Sequence, residues 1–350
     1  MNDATDAHVD RATRILVTGG NGFVGSRVVR ALLEQGFTNL VCVTRSADGN
    51  IQALAEEFTD ASIDIVVGNL LSAQTCEEAA RGAEIVYHLA AGMGRTFPAC
   101  VLNSVVTTRN LLDAVVAAGT VRRFVNVSSM SVYANAELPR GGRLVESSPL
   151  ADETELALRQ DPYAYAKAMQ DRLVTDYSRE KGLPVVTVRP GFVIGPGKPR
   201  IPGRVGNDAF GIFLNVGPRN EMPFTYVENC ADAIVAAGLA PDVDGEVFIV
   251  VDDDRPTSAE YLRLYKKRVG WFPTVRTPYS AYLGFTSFLE WYSTWSDGQI
   301  PPTYNRRSTQ TYFKGNTYSN EKAKQRLGWR PRVPMDVSLE RCFDYMRAAK

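Results

Sequence analysis

The stretch PYAYAK places a phenol and an amine four residues apart, at Tyr163 and Lys167. On a helix this spacing puts both side chains on one face, where they can interact. A phenol has a reference pKa near ~10, so it acts as an acid or base at neutral pH only beside positive charge. The same spacing recurs at residues 177 and 181 and at residues 318 and 322, so the context must distinguish the three pairs.

Two serine hydroxyls supply that context. The segment RFVNVSS predicts a strand over 123–129 that ends in Ser128 and Ser129 and precedes Tyr163 in the chain. In an open parallel sheet, ligands bind at the carboxyl ends of the strands, where these hydroxyls would lie. A hydroxyl there can hold a substrate oxygen while Tyr163 transfers a proton.

A glycine-rich loop, TGGNGFVG, separates a predicted strand over 14–19 from a predicted helix over 26–36. Gly19 permits the tight turn, Gly22 lets the backbone approach a pyrophosphate, and Gly25 lets the helix pack closely on the strand. The exposed N–H groups and the helix N-terminus then stabilise an anion. In the first strand–helix unit of an alternating chain, this loop predicts a dinucleotide site.

The end of the second predicted strand bears on which dinucleotide binds. A site for NAD usually has a carboxylate there to accept from the ribose 2′-hydroxyl. This strand ends in Thr44 and Arg45, without a carboxylate, and the guanidinium could pair with a 2′-phosphate. We therefore expect NADP(H) as the preferred cofactor. The alternative is NAD(H), with Arg45 as a solvated residue beside the site.

Short apolar runs alternate with helical patterns along most of the chain. The predicted strands are 14–19, 39–45, 63–70, 83–91, 123–129, 184–190 and 246–253, and the longest predicted helices are 103–119 and 163–182. Strands that are apolar on both faces, with helices between them, predict a parallel sheet covered on both sides. The expected fold class is α/β, a Rossmann-type doubly wound parallel sheet with a smaller C-terminal substrate-binding lobe.

The pattern also predicts how the chain divides. Residues 1–12 are expected to form a flexible tail. Residues 13–190 plus about 225–252 are assigned to the dinucleotide-binding domain, and 191–224 plus 253–350 to the substrate-binding lobe.

Composition excludes several classes of function. The chain carries 39 acidic and 39 basic side chains, which argues against nucleic acid as its partner. Five scattered cysteines indicate reduced thiols in a cytoplasmic protein, and two histidines make a metal site or Ser-His-Asp hydrolysis a poor expectation. His88 ends an apolar strand, where a packed or hydrogen-bonded imidazole is expected. The N-terminus resembles no signal peptide, and no apolar run reaches the ~18 residues of a membrane span.

From residue 13 to its end, the chain resembles the extended short-chain dehydrogenases/reductases of the NAD(P)-dependent epimerase/dehydratase superfamily. The matching motifs are TGGNGFVG, GNLLS, YHLAA, NSVVTTRNLLDA, VNVSSMSVYA, YAYAK, RPGFVIGPG and FTYVENCADAI. The resemblance implies four catalytic residues. Ser129 would hold the substrate oxygen, and Tyr163 would be the general acid/base. Lys167 would bind the nicotinamide ribose and lower the tyrosine pKa, and Asn103 would support a proton-relay water.

Cofactor contacts are expected along six segments of the chain. The expected cofactor-binding residues are Gly19, Gly22, Phe23, Val24, Gly25, Thr44, Arg45, Asn69, Leu70, Leu89, Ala90, Ala91, Tyr163, Lys167, Pro190 and Val193. Among them, Asn69 replaces the aspartate of the family's usual Asp-Leu pair. The resemblance also implies a homodimer built from the helices of NSVVTTRNLLDA and YAYAKAMQDRL.

Departures from the family pattern indicate the branch. Met130 and Ser131 stand where sugar dehydratases of this family carry an acid and a base, so dehydration is not expected. The YVEN segment resembles the 3β-hydroxysteroid dehydrogenase-like branch. The first hypothesis is therefore hydride transfer between nicotinamide and a secondary alcohol or ketone.

Two alternatives stay open. A nucleotide-sugar epimerase with retained NAD could use Arg200, Arg204, Arg219, Arg306 and Arg307 to bind phosphates. A non-catalytic nucleotide-binding scaffold is the third reading, although it would not need the Ser-Tyr-Lys set. Residues 271–295 are rich in aromatic side chains and are expected to pack on their own lobe, with an apolar substrate wall or an oligomer contact as the alternatives.

Overall fold

The structure is a computed structural model that describes residues 9–94, 96–209, 211–299 and 305–349. Residues 1–8 of the expected tail lie outside the described residues. The strands are β1 Ile15–Thr18, β2 Asn39–Thr44, β3 Ser62–Val67, β4 Ile85–His88, β5 Arg123–Val127, β6 Arg143–Leu144, β7 Val185–Pro190, β8 Phe192–Ile194, β9 Asn207–Ala209, β10 Ile212–Val216, β11 Phe224–Tyr226, β12 Val247–Val250, β13 Thr274–Thr277 and β14 Thr317–Tyr318.

The helices connect these strands in the order that the sequence pattern predicts for the first half of the chain. They are α1 Gly25–Glu34, α2 Asn50–Glu57, α3 Ala73–Ala80, α4 Phe97–Val101, α5 Thr107–Ala118, α6 Glu153–Leu158, α7 Pro162–Lys181, α8 Val227–Leu239, α9 Ser258–Arg268, α10 Tyr279–Trp295, α11 Arg306–Phe313, α12 Glu321–Leu327 and α13 Met335–Ala348.

Seven strands form the central sheet, in the order β12-β7-β5-β4-β1-β2-β3, and every pair is parallel. The order runs outward from β1 in both directions, which is the doubly wound arrangement. The predicted α/β fold class is therefore confirmed. The strand order reverses between β1 and β4, the position at which such sheets bind their ligands.

Helices cover both faces of the sheet because its central strands are apolar on both sides. One face packs against α1, α2, α8 and α12, and the other against α3, α5 and α7. Leu16 and Val17 on β1 are both fully buried, and they belong to the cores on opposite faces. These two cores fix the register of the strands whose ends carry the site.

Local signals set the ends of α7, the helix that carries the tyrosine–lysine pair. Asp161 caps its N-terminus by accepting from the Ala164 N–H at 3.0 Å, Pro162 occupies the first turn, and Gly182 ends it with φ of +68°. Inside the helix, Asp171 makes a buried salt bridge of 2.5 Å with Arg189 on β7. The helix is therefore held at both ends and tied to the sheet in the middle.

Two stretches differ from the prediction. The helix expected over 103–119 begins with a π-helical turn at Leu102–Val106 before α5, because one extra residue is accommodated there. The stretch 191–208, which reads as a Gly- and Pro-rich loop, contains β8 and part of β9. Both strands are only three residues long, too short to leave a periodic signal.

The aromatic segment also departs from expectation. On α10 only Tyr282, Thr286 and Ser293 are buried, whereas Trp291 and Trp295 are 59% and 69% exposed. The expectation that the aromatic face packs on its own lobe is therefore wrong for most of the helix. The division of the chain into two lobes at the predicted boundaries stays a prediction.

Candidate active site

The glycine-rich turn between β1 and α1 lies directly against the end of β4. Gly19 has φ of +72°, and a Cβ added to it would lie 3.0 Å from the Ala90 nitrogen. A Cβ added to Gly25 would lie 2.1 Å from the Gly19 oxygen, so the helix can start this close to the turn only with glycine there. The turn thus needs glycine for its conformation at Gly19 and for close packing at Gly25.

A polar cleft of about 560 Å³ opens beside this turn. Ten of the predicted cofactor or catalytic residues line it: Gly19, Gly22, Thr44, Arg45, Asn69, Leu70, Leu89, Ala90, Ala91 and Asn103. They come from the ends of β1, β2, β3 and β4 and from the π-helical turn. Backbone N–H groups and small side chains at a strand-to-helix turn suit the pyrophosphate of a dinucleotide, so the described residues fit that group.

Asn21, which the sequence reasoning missed, organises the far side of this cleft. Its side-chain oxygen accepts from the Ile51 N–H at 3.0 Å, and its amide nitrogen donates to the Asp48 oxygen at 3.3 Å. It therefore ties the glycine turn to the loop after β2, on which Arg45 is exposed. The asparagine inside the glycine motif was visible in the sequence, but its partners lie about 30 residues away.

The floor of the cleft is the backbone that follows β4. The Ala90 N–H donates to Thr18 Oγ1 at 3.3 Å, and the Gly92 N–H donates to Ser104 Oγ at 2.9 Å. Ser104 lies on the π-helical turn, whose neighbouring Asn103 donates to the Ala99 oxygen at 2.8 Å and lines the cleft. The π-helical turn thus aims one side chain at the cleft and another at its floor, which agrees with the frequent placement of such turns at functional sites.

A second cavity of about 520 Å³ adjoins the first, since Met93 lines both. Ser129, Tyr163, Pro190 and Val193, four of the predicted residues, lie on its wall. Its other walls are mostly apolar or aromatic and include Met130, Pro162, Phe192, Pro223, Tyr282, Tyr312 and Phe313. No sequence pattern indicated Tyr312 or Phe313, because α11 follows Tyr163 by more than 140 residues.

Ser129 and Ser131 form a hydrogen-bonded pair of hydroxyls on the wall of this cavity. Ser129 Oγ accepts from the Ser131 N–H at 3.1 Å and from Ser131 Oγ at 3.0 Å. The Ser129 proton is therefore left to donate elsewhere, and Ser129 also contacts the Tyr163 hydroxyl by a hydrogen bond. Burial raises the pKa of Tyr163 to about 12, its hydrogen bond with Ser129 opposes the rise, and Asp161 adds to it.

Lys167 lies one helical turn after Tyr163 but is buried beneath the cavities rather than lining them. Its ammonium donates to the Val127 oxygen at 2.7 Å and to Gln170 Oε1 at 2.8 Å. Burial lowers the pKa of Lys167 to about 8, and the nearby Asp171 carboxylate opposes the shift. The amine is therefore held by two neutral acceptors and stays largely charged at pH 7.

The remaining predicted residues lie behind the walls. Phe23 packs under Gly195 and Gly197, Val24 precedes the first residue of α1, and Gly25 touches only the turn. Neither cavity has these three residues on its wall. These three residues therefore belong to the packing around the turn and do not face either cavity.

The charged groups on the substrate-side cavity are few. Of the five arginines that could serve phosphates, only Arg204 lines it, and its guanidinium lies 5.0 Å from the centre of the Tyr312 ring. The other charged residues on the wall are Lys198, Asp161 and Arg159, and Arg159 is already paired with Glu155 at 2.5 Å. A pyrophosphate would require more convergent cations than this cavity offers.

The described part of the chain contains no group of three or more His, Cys, Asp or Glu side chains placed to hold a metal ion. All five cysteines are buried and unbridged. Among the described helices, none combines the length and the apolar character required to cross a membrane.

Comparison with known proteins identifies relatives over nearly the whole chain. The sequence model of the NAD dependent epimerase/dehydratase family matches residues 15–250. The chain is 25% identical to the Mus musculus protein named sterol-4-alpha-carboxylate 3-dehydrogenase, decarboxylating, over 98% of this chain and 94% of the relative. It is 26% identical to a 3-beta-hydroxysteroid dehydrogenase of Mycolicibacterium neoaurum, over 95% and 91% of the two chains.

A third relative, which is also bacterial, has a name that describes a different kind of substrate. The 2-alkyl-3-oxoalkanoate reductase of Shewanella oneidensis is 25% identical over 97% of this chain and 87% of its own. These relatives support the dehydrogenase branch that the sequence motifs indicate.

Solved structures share the fold. The UDP-glucuronic acid 4-epimerase of Bacillus cereus, in complex with UDP-glucuronic acid and NAD, gives a TM-score of 0.71 at 22% identity, covering 97% of this chain and 100% of that one. DesIV, a dTDP-glucose 4,6-dehydratase of Streptomyces venezuelae with NAD bound, gives 0.71 at 23% identity, covering 96% and 97%. At this identity the likeness shows the fold alone.

We predict that Gly19→Ala weakens NADH binding at least ~10-fold, because the new Cβ would press on the Ala90 backbone in a left-handed conformation. Gly36→Ala is the matched control, since Gly36 also has positive φ, +86°, but its added Cβ would meet nothing within 4 Å. Titration of NADH fluorescence measures both variants. Equal affinities for the two would contradict the placement of the cofactor against this turn.

Proposed function

The chain belongs to the NAD dependent epimerase/dehydratase family, and from that premise we propose that it transfers hydride between nicotinamide and the carbinol carbon of an apolar secondary alcohol or ketone. The chain is an oxidoreductase of the extended short-chain dehydrogenase/reductase type. The observation that carries the finer proposal is the adjoining pair of cavities, one polar and dinucleotide-sized, the other mostly apolar with Ser129 and Tyr163 on its wall.

Proton transfer is assigned to the Tyr163 hydroxyl. In the oxidation direction, its phenolate would take the proton of the substrate hydroxyl, and in reduction the phenol would return it. Ser129 would donate to the same substrate oxygen, since its own oxygen already accepts from Ser131. When bound, the nicotinamide ring supplies the hydride acceptor or donor.

The charge of Lys167 supports this role for the tyrosine. A phenol with a pKa of about 12 is almost entirely protonated at neutral pH, so nearby positive charge must favour its ionised form. Lys167 would supply that charge and hold the nicotinamide ribose. Asn103, which faces the polar cleft from the π-helical turn, would hold a water that exchanges protons with the site.

The walls of the second cavity favour an apolar substrate. Met130, Phe192 and Phe313 offer a methyl group and rings rather than polar atoms, and the Tyr282 hydroxyl already accepts from Asn207 at 2.8 Å. The names of two relatives, a hydroxysteroid dehydrogenase and an alkyl-oxoalkanoate reductase, describe alcohols or ketones on largely hydrocarbon bodies. A substrate of that chemical class is proposed here for this chain.

A nucleotide-sugar epimerase is the second candidate, favoured by one observation, the presence of Arg204 on the cavity wall. Arg204 is stacked on the Tyr312 ring and Arg159 is already paired with Glu155, so the cavity is a poor match for a pyrophosphate. A non-catalytic nucleotide-binding scaffold would not need Ser129 and Tyr163 on the wall of a cavity. The alcohol or ketone oxidoreductase therefore remains the proposed function.

NADP(H) is proposed as the preferred cofactor because Arg45 lines the polar cleft while no carboxylate appears among its lining residues. NAD(H) remains the alternative cofactor. We further propose the two lobes at the predicted boundaries, with the apolar core around α9 and α13 belonging to the smaller one. The homodimer stays a prediction.

We predict that Tyr163→Phe lowers turnover of an alcohol or ketone substrate at least ~100-fold, because it removes the proton donor and acceptor. NADPH affinity should stay within about twofold. Tyr177→Phe on the same helix is the control, since its hydroxyl contacts the Asp113 carboxylate at the surface. If Tyr163→Phe turns the substrate over about as fast as the control, proton transfer by Tyr163 is contradicted.

We also predict that Arg45→Ala weakens NADPH binding by about 10- to 100-fold, the effect of losing a charge-assisted contact. NADH binding should change less than about twofold. Calorimetric titration of each cofactor measures both values. A similar loss for the two cofactors would show that Arg45 does not read the 2′-phosphate.

A further inference from the structure

A buried chain of polar side chains runs beneath the two cavities, from Thr18 to Lys167. Thr18 Oγ1 lies 2.8 Å from His88 Nδ1, and Gln170 Nε2 lies 3.0 Å from His88 Nε2. At the far end, Lys167 donates to Gln170 Oε1 at 2.8 Å. Thr18, His88, Gln170 and Lys167 are each at most 3% exposed, so each group depends on the others for its hydrogen bonds.

The orientation of the Gln170 amide follows from its neighbours. Lys167 has only donors, so the amide oxygen must face it. The amide nitrogen then donates to Thr108 Oγ1 at 2.7 Å and has one N–H left for His88. Thr108 can only accept in its hydrogen bond with the amide, because its own hydroxyl proton is donated to the Ser104 oxygen at 2.5 Å.

The imidazole of His88 contacts this amide and two threonine hydroxyls. Its Nε2 lies 3.0 Å from Gln170 Nε2 and 2.8 Å from Thr108 Oγ1, and its Nδ1 lies 2.8 Å from Thr18 Oγ1. Each ring nitrogen therefore has a polar partner whether the single ring proton lies on Nδ1 or on Nε2. Turning the amide over would take its oxygen away from Lys167. Burial, with a smaller contribution from the Lys167 charge, lowers the pKa of His88 to about 3, which keeps the ring neutral.

We propose that Gln170 and neutral His88 are positioning residues that hold the Lys167 ammonium in place for the reaction. The catalytic part of this proposal rests on the proposed function. His88 is packed and hydrogen-bonded, as the sequence predicts. Its contact with the Gln170 amide also links it to Lys167. Gln170 carries the effect, since it is the only side chain among the described residues that accepts from Lys167.

The same chain of contacts reaches the floor of the polar cleft. Thr18 Oγ1 accepts from the Ala90 N–H, and Ser104, which accepts from Thr108, itself receives the Gly92 N–H. The backbone under the expected cofactor and the lysine expected to touch its ribose are therefore held by one hydrogen-bonded network. Loosening Gln170 should disturb cofactor binding as well as the charge of the lysine.

The titratable groups that face Lys167 are few. On α7 itself, Asp171 raises the pKa of the lysine, but its carboxylate is already paired with Arg189 on β7. From β4 the facing group is His88, and from β5 it is the neutral Val127 carbonyl. A change at Gln170 should therefore appear directly in the titration of Lys167.

The first test needs no substitution in the network. Nitrogen NMR of histidine-labelled protein should show one ring that stays neutral from pH 5 to 8. The chain has only two histidines, so His8→Gln leaves the signal of His88 alone. Titration of His88 near the ordinary histidine pKa of ~6.5 would overturn the proposal.

The second test changes the acceptor. In lysine-labelled protein, the carbon NMR signal lost in Lys167→Met reports the titration of Lys167. Gln170→Leu should lower its pKa below about 8, because the ammonium loses an acceptor, and Gln170→Glu should raise it, because a carboxylate favours the charged form. Thr175→Val, which removes a hydroxyl that bonds only the Asp171 backbone, should leave it unchanged.

Gln170→Leu should also weaken NADH binding at pH 7 at least ~10-fold relative to Thr175→Val. Unchanged titration or unchanged binding in Gln170→Leu would overturn the proposal. If the titration and the binding shift as expected but no alcohol or ketone is turned over, the proposed function fails and the positioning network stands. If the parent protein turns over an alcohol or ketone but the titration of Lys167 is unchanged in Gln170→Leu, only the positioning network is rejected.

Discussion

The parallel pairing of β1 with β4, which sets Thr18 beside His88, is the contact on which the rest of the site depends. One residue beyond Thr18 the chain turns left-handed at Gly19, and just beyond His88 the backbone of Ala90 meets that turn. The same pair of side chains begins the hydrogen-bonded path to Lys167. A slip in this register would therefore separate the glycine turn from its floor and the lysine from its partners.

The two cavities divide the chemistry between them. The polar cleft is built from strand ends, where free backbone N–H groups suit phosphates. The adjoining cavity is walled by aromatic side chains from β8, α10 and α11 and by Met93 and Met130, and Ser129 and Tyr163 lie on its wall. In the proposed reaction these two hydroxyls would be the hydrogen-bond partners of the substrate oxygen.

Much of the fold and of the candidate site could be predicted from the sequence, because the patterns that indicate them are short and local. The strands of the sheet, the glycine turn and the Ser129, Tyr163 and Lys167 set follow from short patterns, and the fold class is confirmed. The π-helical turn at Leu102–Val106 left no such pattern, since one extra residue in an apolar helix does not change its composition. The exposure of Trp291 was also unpredictable, because periodicity shows that a face is apolar but not what covers it.

The sequence could not predict the contacts between residues that lie far apart in the chain. Gln170 is an ordinary helix residue until β4 and α5 bring His88 and Thr108 to its amide. Tyr312 reaches the site from α11, more than 140 residues after Tyr163. Such residues are positioned by tertiary packing, so only the folded chain reveals what they do.

The most direct test of the central claim is the nucleotide content of the purified protein. The protein would be denatured, any released nucleotide identified, and the affinities of the emptied protein for NADPH and NADH compared. An exchanging oxidoreductase with Arg45 at the ribose should release little nucleotide and bind NADPH more tightly than NADH. Stoichiometric, tightly held NAD would instead mean a recycled cofactor, and it would contradict both the alcohol or ketone oxidoreductase and the assigned role of Arg45.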